Sequence, residues 1–559
     1  MNTAPPRTVP KSAAALAGLL GAAAALAIGE LVTALGHDRP SLVAAVGNRF
    51  VDEFAAGLKQ LAVRLFGTND KPALVVGIVV SSLIFGVVLG LAARARRWIG
   101  AAGLVAFGVL GAYAYATDAR GGGALGVIAA AAAVVAGCVV LFALLSAASR
   151  TPTVAVGAMP TPAPMPAVEA TPVVEAMPAV ERRPIAEPMP APRWSPSTSR
   201  AVSSSSNRRT FLLRSAAIGA GVVGVTMASR VLRSDSTAAA ARRTTVLPRA
   251  TSSRSIPAGL DADVPGISPY VTPTGDFYRI DTALLTPDVD PSSWKLQING
   301  MVDRPFSITY DELLALATVS EPVTLQCVSN EIGGNLVGNA VWQGVPLSVL
   351  LDRAGVQAGA TQIVGTSVDG WTAGFPTALG TDGRVAMVAV AMNGEPLPVA
   401  HGFPARLVVA GLYGYVSATK WISEITLTRL EDVDGYWIPR GWSKDGPIKT
   451  MSRIDVPRSK GTLTPGKQPI AGVAWAPDRG ISKVEVQIDD GAWMECRLGD
   501  TASENTWVQW VYEWDATPGS YRLRVRATDG TGAVQTEDRA EPAPNGASGW
   551  PQRTVKVGS

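Results

Sequence analysis

The chain of 559 residues is poor in the side chains that usually bind metals. It has two histidines (His37, His401) and three cysteines (Cys138, Cys327, Cys496). Three cysteines are too few for a disulfide framework, and they have no zinc-binding spacing. The apolar N-terminal part also lacks the paired histidines that hold membrane haem, and a lone Cys138 cannot hold an iron–sulfur cluster. This part is therefore not expected to carry electrons.

The sequence also lacks a large net charge of either sign. The net charge is +4, and the basic residues are scattered, so nucleic acid is not an expected partner. The length predicts roughly three or four domains. Apolar residues are concentrated in the first 150 positions, whereas the last 300 have the composition of a soluble protein.

Region 1–150 is predicted to be a four-helix transmembrane region that anchors the protein. Four stretches have the roughly 20 apolar residues that a bilayer requires. They are Lys11–Gly36, Ala73–Ala93, Trp98–Ala116 and Ala124–Ala148. Basic residues flank them at alternate ends, which by the positive-inside rule places both ends of the region in the cytoplasm. These flanking residues are Arg7, Lys11, Arg94, Arg96, Arg97 and Arg150.

Residues 151–206 are rich in Pro and Ala and are predicted to form a disordered linker. Residues 207–232, which start Asn207-Arg208-Arg209-Thr210-Phe211, resemble a twin-arginine export signal followed by a fifth membrane span. The alternative is an ordinary basic flank of that span. Export is favoured because the chain is back in the cytoplasm here, where the export machinery reads its signal. Residues 233–255 are predicted to be a linker, and cleavage near Ala239-Ala240-Ala241 is left open.

Residues 256–445 are predicted to form a mixed α+β domain. Thr309 and Glu312 have the spacing of a capping box, and Pro346 precedes a predicted helix over Leu347–Ala354. Alternating apolar residues predict strands at Gln362–Ser367, Leu407–Ala410 and Ile422–Thr428.

Residues 455–557 contain only strand patterns, separated by turn signals rich in Asp, Pro and Gly. Short strands at this spacing predict an immunoglobulin-like β-sandwich. The predicted strands are Ile470–Ala474, Ser482–Ile488, Trp507–Trp514 and Tyr521–Ala527.

Cys327 is the best candidate for chemistry. A lone cysteine is usually a small buried hydrophobic residue. Cys327, however, ends a strand-like run and begins a segment rich in Gly and Asn, where the backbone can approach a ligand closely. Thiolate is also a soft ligand suited to a redox-active metal.

Four ordered motifs resemble the sulfite oxidase family of molybdopterin oxidoreductases. The resemblance extends over about 257–442, and the following sandwich resembles the family's dimerisation domain through Trp475-Ala-Pro-Asp-Arg-Gly480. The motifs are Leu325-Gln-Cys327 with Asn330 and Trp342-Gln-Gly-Val-Pro-Leu347, His401-Gly-Phe-Pro-Ala-Arg406 with Gly414-Tyr-Val-Ser417-Ala-Thr-Lys420-Trp421, Asp276-Phe-Tyr-Arg279, and Gly435-Tyr-Trp437.

The resemblance implies a molybdenum–molybdopterin cofactor (Mo-MPT) with Cys327 as the thiolate ligand of the metal. It implies that Arg406, Ser417 and Lys420 hold the pterin phosphate and that His401 hydrogen-bonds the pterin. This set suits phosphate, which favours a forked guanidinium, an ammonium and small hydroxyls. The residues implied to line the pterin are Asp276, Phe277 and Tyr278. The sandwich would then form a homodimer.

The rim of the expected active site departs from the family pattern. Glu331 stands where sulfite-oxidising members tend to have a basic residue, and Trp371 takes the place of a tyrosine near the metal. Because a doubly negative substrate needs cations close by, these changes weaken the case for sulfite. Arg279 is the remaining candidate for anion binding and catalysis, with Arg440 second.

The leading hypothesis is an enzyme that transfers oxygen atoms outside the cytoplasm, oxidising a small molecule such as sulfite. Its electrons would leave to an external carrier such as a cytochrome or a quinone-linked protein. One alternative is the reverse reaction, reduction of S- or N-oxides such as methionine sulfoxide in proteins. Another is a membrane-tethered binding protein with a decayed molybdenum site.

Overall fold

A computed structural model describes residues 9–36, 39–54, 70–122, 124–149, 205–234, 237–261, 263–458 and 461–558. His37 and residues 151–204 of the predicted linker lie outside these ranges. The described chain consists of an apolar helical region followed by two β-rich domains.

Five of the described helices are long and apolar enough to cross a bilayer, judged by length and composition. Four of them coincide with the predicted spans, and the fifth contains the predicted signal. A shorter amphipathic helix, α2, was not predicted. The helices are α1 (Lys11–Thr33), α2 (Leu42–Phe54), α3 (Asp70–Ala93), α4 (Arg97–Thr117), α5 (Ala124–Ala148) and α6 (Ser205–Ser234).

Small residues allow these helices to pack closely. A Cβ atom added to Gly18 of α1 would lie 2.0 Å from the carbonyl oxygen of Gly86, and one on Gly90 would lie 2.2 Å from that of Ala14. Such contacts between backbones are typical of helices that associate through glycine in an apolar environment. We refer to α1–α5 as the helical module.

The next domain begins within the predicted linker 233–255, where helix α7 (Thr237–Thr244) packs on the β-rich core. Asp288 accepts hydrogen bonds from the first backbone amides of α7. Helices α8 (Tyr310–Leu316), α9 (Leu347–Ala354) and α10 (Gly414–Ser417) follow. The predicted capping box is present, since Thr309 and Glu312 exchange hydrogen bonds at the start of α8.

Two sheets form this domain, with strand orders β1-β4-β5-β8-β10 (β9 also pairs with β8) and β3-β2-β11-β6-β7. Their apolar residues join one continuous core, and the three strands predicted from the sequence are present. The strands are β1 (Ser252–Ser253), β2 (Lys295–Gly300), β3 (Phe306–Thr309), β4 (Val319–Gln326), β5 (Val337–Pro346), β6 (Gln362–Ser367), β7 (Thr372–Pro376), β8 (Ala386–Met392), β9 (Glu395–Pro396), β10 (Arg406–Val409) and β11 (Ile422–Thr428).

The C-terminal domain contains two further sheets, with orders β12-β14-β18-β17 and β13-β20-β19-β15-β16. Three of its four predicted strands lie within β14, β15 and β19, and the fourth overlaps β18 except at its first residue, Trp507. The strands are β12 (Met451–Val456), β13 (Thr462–Leu463), β14 (Gly466–Trp475), β15 (Ile481–Ile488), β16 (Met494–Glu495), β17 (Arg497–Leu498), β18 (Val508–Ala516), β19 (Gly519–Asp529) and β20 (Gln552–Val557).

The two β-rich domains make buried contacts with each other next to Cys327. Trp475, at the end of β14, donates a 2.7 Å hydrogen bond from its indole to the side chain of Gln326, the residue before Cys327. The side chain of Thr324 in β4 accepts a hydrogen bond from the backbone of Trp507. The C-terminal domain therefore supports the strand that presents Cys327.

Candidate cofactor site

Cys327 follows the last residue of β4, and its own backbone fixes the turn that comes next. Its amide donates to Leu336 at 2.9 Å, and its carbonyl accepts from the amide of Asn330 at 3.0 Å. The buried side chain of Asn330 closes the loop by accepting from the amide of Leu336 at 2.8 Å. A Cβ atom on Gly334 would lie 2.6 Å from that same Asn330 oxygen, which explains a glycine here.

Aromatic rings form the wall beside the cysteine. The ring of Phe277 stacks on that of Tyr278 and meets the ring of His401 edge-on, with centroids 5.1 and 5.7 Å apart. Gly338 in β5 leaves room for Phe277, because a Cβ atom there would lie 2.7 Å from the ring. A left-handed turn at Gly402 follows the short helix Val399–His401.

These residues surround a cavity of about 560 Å³. Cys327 and the basic residues Arg406 and Lys420 all lie in the lining of this cavity. Its other lining residues include Phe277, Tyr278, Asp281, Glu331, Asp369, Trp371, His401, Tyr415, Trp421, Trp437, Arg440, Trp442 and Glu541–Ala543.

Arg406 is a buried cation without an anionic partner among the described residues. It is 5 % exposed, and its guanidinium donates to the carbonyl oxygen of His401 at 3.2 Å and lies 4.9 Å from the ring centroid of Trp342. Burial lowers the pKa of Arg406 to about 10. Because an unpaired buried charge is costly, this position is suited to an anionic ligand.

Lys420 adds a second buried cation. Its ammonium group donates to Asp281 at 2.6 Å and to the carbonyl oxygen of Ala400 at 3.2 Å. Burial lowers the pKa of Lys420 to about 8, although Asp281 opposes the shift. His401 has a pKa of about 4, because burial and the nearby charge of Arg406 both disfavour protonation. Its ring is therefore neutral at physiological pH and can both donate and accept a hydrogen bond.

Comparison with known proteins identifies the family of this chain. A family profile described as "Oxidoreductase molybdopterin binding domain" matches residues 283–437. The "Uncharacterized oxidoreductase YuiH" of Bacillus subtilis is 33 % identical over 159 residues, which cover 28 % of this chain and 76 % of that protein. The chain belongs to the sulfite oxidase-like molybdopterin oxidoreductases. It is therefore an oxidoreductase with a molybdenum–molybdopterin cofactor.

Other members of the family match a larger part of the chain at lower identity. Human mitochondrial sulfite oxidase is 28 % identical over 303 residues, covering 46 % of this chain and 55 % of the relative. Rice nitrate reductase [NADH] 1 is 26 % identical over 333 residues, covering 48 % and 36 %. The chain thus spans about half the length of this sulfite oxidase and a smaller share of the nitrate reductase. The solved structure of the sulfane dehydrogenase SoxCD from Paracoccus pantotrophus is 24 % identical, with a TM-score of 0.46, over 52 % of this chain and 84 % of that one.

The residues of the cavity fit the family cofactor. The pterin phosphate needs anchoring cations, and Arg406 is a buried cation that no carboxylate of the described chain neutralises. A redox-active metal needs a soft ligand, and Cys327 lines the same cavity.

Six of the nine predicted site residues other than Cys327 line this cavity: Phe277, Tyr278, Trp371, His401, Arg406 and Lys420. The remaining three are placed outside its lining. Asp276 is exposed, and the hydroxyl of Ser417 donates to the carbonyl oxygen of Tyr413 within its own short helix. Arg279 pairs with Asp281 and donates to Thr286, with its side chain 41 % exposed.

Sequence reasoning missed Asp281 and the segment Glu541–Ala543. Asp281 follows the Asp276-Phe-Tyr-Arg279 motif closely, so its position along the chain was a usable signal. Glu541–Ala543 belongs to the C-terminal domain and reaches the cavity only through the packing of the two domains. No local pattern in the sequence marks it.

Proposed function

We propose that the protein catalyses oxygen-atom transfer to or from a small molecule on the extracytoplasmic side of a membrane. The observation that carries this proposal is a single cavity with Cys327 and the buried cations Arg406 and Lys420 in its lining. When bound, the molybdenum cofactor supplies the oxygen-atom transfer and redox chemistry, and the electrons pass to or from an external carrier.

The residues of the chain position that chemistry. Cys327 is the proposed thiolate ligand, and Arg406 and Lys420 are proposed to hold the pterin phosphate. Burial raises the pKa of Tyr278, with a further contribution from Cys327, so its hydroxyl stays protonated and can donate a hydrogen bond. Phe277 and Trp371 lie in the same lining, and their rings are proposed to exclude water from the reacting atoms.

The lining of the cavity favours a neutral oxide over sulfite as the substrate. Glu331 and Asp369 lie in the lining, while Arg279 turns away toward Asp281 and Thr286. Arg440 lies in the lining, but it stacks on the ring of Tyr436 and donates to the carbonyl oxygen of that residue. Because a sulfite dianion needs compensating cations, the lining supports reduction of an S- or N-oxide more than oxidation of sulfite.

The charge at position 331 is expected to influence the substrate preference. Wild-type protein is expected to reduce dimethyl sulfoxide with a reduced dye at a higher kcat/KM than it oxidises sulfite with ferricyanide. Glu331→Arg is expected to raise kcat/KM for sulfite at least about tenfold, since a charge-assisted hydrogen bond contributes roughly 1.5–3 kcal/mol. Glu331→Gln, which removes the negative charge without adding a positive one, should give a smaller gain. Faster sulfite oxidation by the wild type would contradict the preference for an oxide.

The position of the helical module supports an extracytoplasmic site. The β-rich domain contacts α2 through a 2.7 Å hydrogen bond from Tyr436 to Asp52, and Ala119, just after α4, lies against Gly370. At the opposite end of the module, Ala14, Ala93 and Leu145 join one apolar cluster. The basic residues between α3 and α4 belong to that opposite end, which the positive-inside rule assigns to the cytoplasm.

Labelling with a membrane-impermeant maleimide tests this orientation. A cysteine introduced by Asp432→Cys, at an exposed position of the β-rich domain, is expected to react in intact cells. A cysteine introduced by Ala95→Cys, in the exposed turn between α3 and α4, should react only after the cells are permeabilised. The wild type serves as the background control. Labelling at position 95 from outside, with protection at 432, would contradict the proposed orientation.

A further inference from the structure

The helical module packs against the β-rich domain next to the cofactor cavity. Asn48 of α2 accepts a hydrogen bond from the amide of Leu284 at 3.3 Å and donates to Asp118 at 2.7 Å. A second cavity of about 190 Å³ lies at this contact. It shares Thr282, Asp369 and Trp371 with the cofactor cavity, so the two spaces are adjacent.

Lys71 of the module contacts Asp281, the carboxylate that pairs with Lys420. Lys71, at the start of α3, forms an ion pair with Asp281 and donates to the carbonyl oxygen of Ala283 at 2.8 Å. The same carboxylate accepts from Lys420 at 2.6 Å and is only 5 % exposed. Although burial favours the neutral acid, Lys420 and Lys71 keep the pKa of Asp281 well below its usual range. The charged carboxylate of Asp281 therefore links Lys71 of the module to Lys420 in the lining of the cofactor cavity.

The charges around Asp281 affect how strongly Lys420 can attract a phosphate. Lys71, Lys420 and Arg279 all lie within ion-pair distance of Asp281, so three cations surround one carboxylate. Without Lys71, Asp281 would be neutralised more fully by Lys420, which would then attract a phosphate less strongly. With Lys71 present, part of that negative charge is already matched, and the field of Lys420 toward the cavity is stronger.

We propose that Lys71 is a positioning residue for the cofactor: by pairing with Asp281, it leaves the ammonium group of Lys420 available to the pterin phosphate. This rests on the proposed role of Lys420 in the site. The helical module then serves as more than an anchor, because it completes the phosphate end of the cofactor site. A protein whose module is displaced from the β-rich domain would hold its cofactor less tightly.

The test uses the full-length protein purified from a host that makes molybdopterin. Pterin release is followed over time by the fluorescence of its oxidised form, and molybdenum is measured in the retained fraction. Lys71→Met is expected to release pterin on the order of ten times faster than the wild type, because the charge-assisted contact between Lys420 and the phosphate is weakened. Lys71→Arg should restore slow release. Arg49→Gln is the matched control: Arg49 is a basic residue of α2 that pairs with Glu53 of its own helix, so wild-type release is expected.

A double-mutant cycle separates an effect through Asp281 from a general loss of structure. In an Asp281→Asn background, Lys71→Met is expected to leave the release rate equal to that of Asp281→Asn alone. Wild-type release by Lys71→Met, or equal acceleration in both backgrounds, would overturn the inference. A folded wild type without pterin would instead refute the proposed function, so the two failures are distinguishable.

Discussion

Replacing Cys327 by serine is expected to reduce steady-state turnover at least about a hundredfold. The loss of even an outer partner of a metal ligand typically costs 10–100-fold in metal affinity or activity, and Cys327 is the proposed ligand itself. A hydroxyl is a harder and weaker donor than a thiolate for a redox-active metal. The variant should retain its fold, because serine differs from cysteine by one atom.

The measurement compares turnover and the electron paramagnetic resonance of the metal centre in the variant and in Cys138→Ser. Cys138 lies half-buried in α5, away from the cofactor cavity. The control is expected to match the wild type in both properties. Wild-type turnover and spectrum in Cys327→Ser would show that the thiolate does not ligate the metal.

Replacing Arg406 by methionine is expected to have opposite effects on the apo and cofactor-bound proteins. In the apo protein the substitution removes a buried guanidinium that has no anionic partner in the described chain. Such a charge costs free energy, so the apo variant should unfold at the same temperature or a higher one. In the cofactor-bound protein the phosphate would lose charge-assisted hydrogen bonds, and pterin occupancy should fall roughly tenfold to a hundredfold.

Thermal unfolding and pterin content, measured on the same preparations, test this pair of effects. Arg406→Lys keeps the charge but loses the forked geometry, so an intermediate pterin content is expected. Lys444→Met removes a cation that pairs with Asp434 outside the cavity and should keep the wild-type content. An apo variant of Arg406 that unfolds at a lower temperature, with unchanged pterin, would indicate a purely structural arginine.

Much of the fold could be predicted because local patterns decide it. Apolar runs of the required length give four of the long helices, and the capping box at Thr309 gives the start of α8. Alternation of apolar and polar residues gives strands such as β6 and β11, which have the predicted bounds. The immunoglobulin-like character of the C-terminal domain and its role in dimerisation remain predictions.

The remainder depends on contacts between distant parts of the chain. Asp281 acquires its role from Lys71, which lies 210 residues earlier, and no local pattern reports that pairing. Arg279 was predicted to bind an anion because of its motif, and that role stays a prediction; the structure adds that its guanidinium donates to Asp281 and Thr286. The positive charge of Arg279 can be read from the sequence, whereas its ion pair with Asp281 is seen only in the structure.

X-ray absorption at the molybdenum edge, recorded on the purified wild type and on Cys327→Ser, tests the central claim most directly. The account predicts that the wild-type metal has one more sulfur neighbour than the metal in the variant, at equal pterin content. Equal sulfur coordination in the two proteins would contradict Cys327 as the ligand. Well-folded wild type without molybdenum would contradict the assignment of this cavity as the cofactor site.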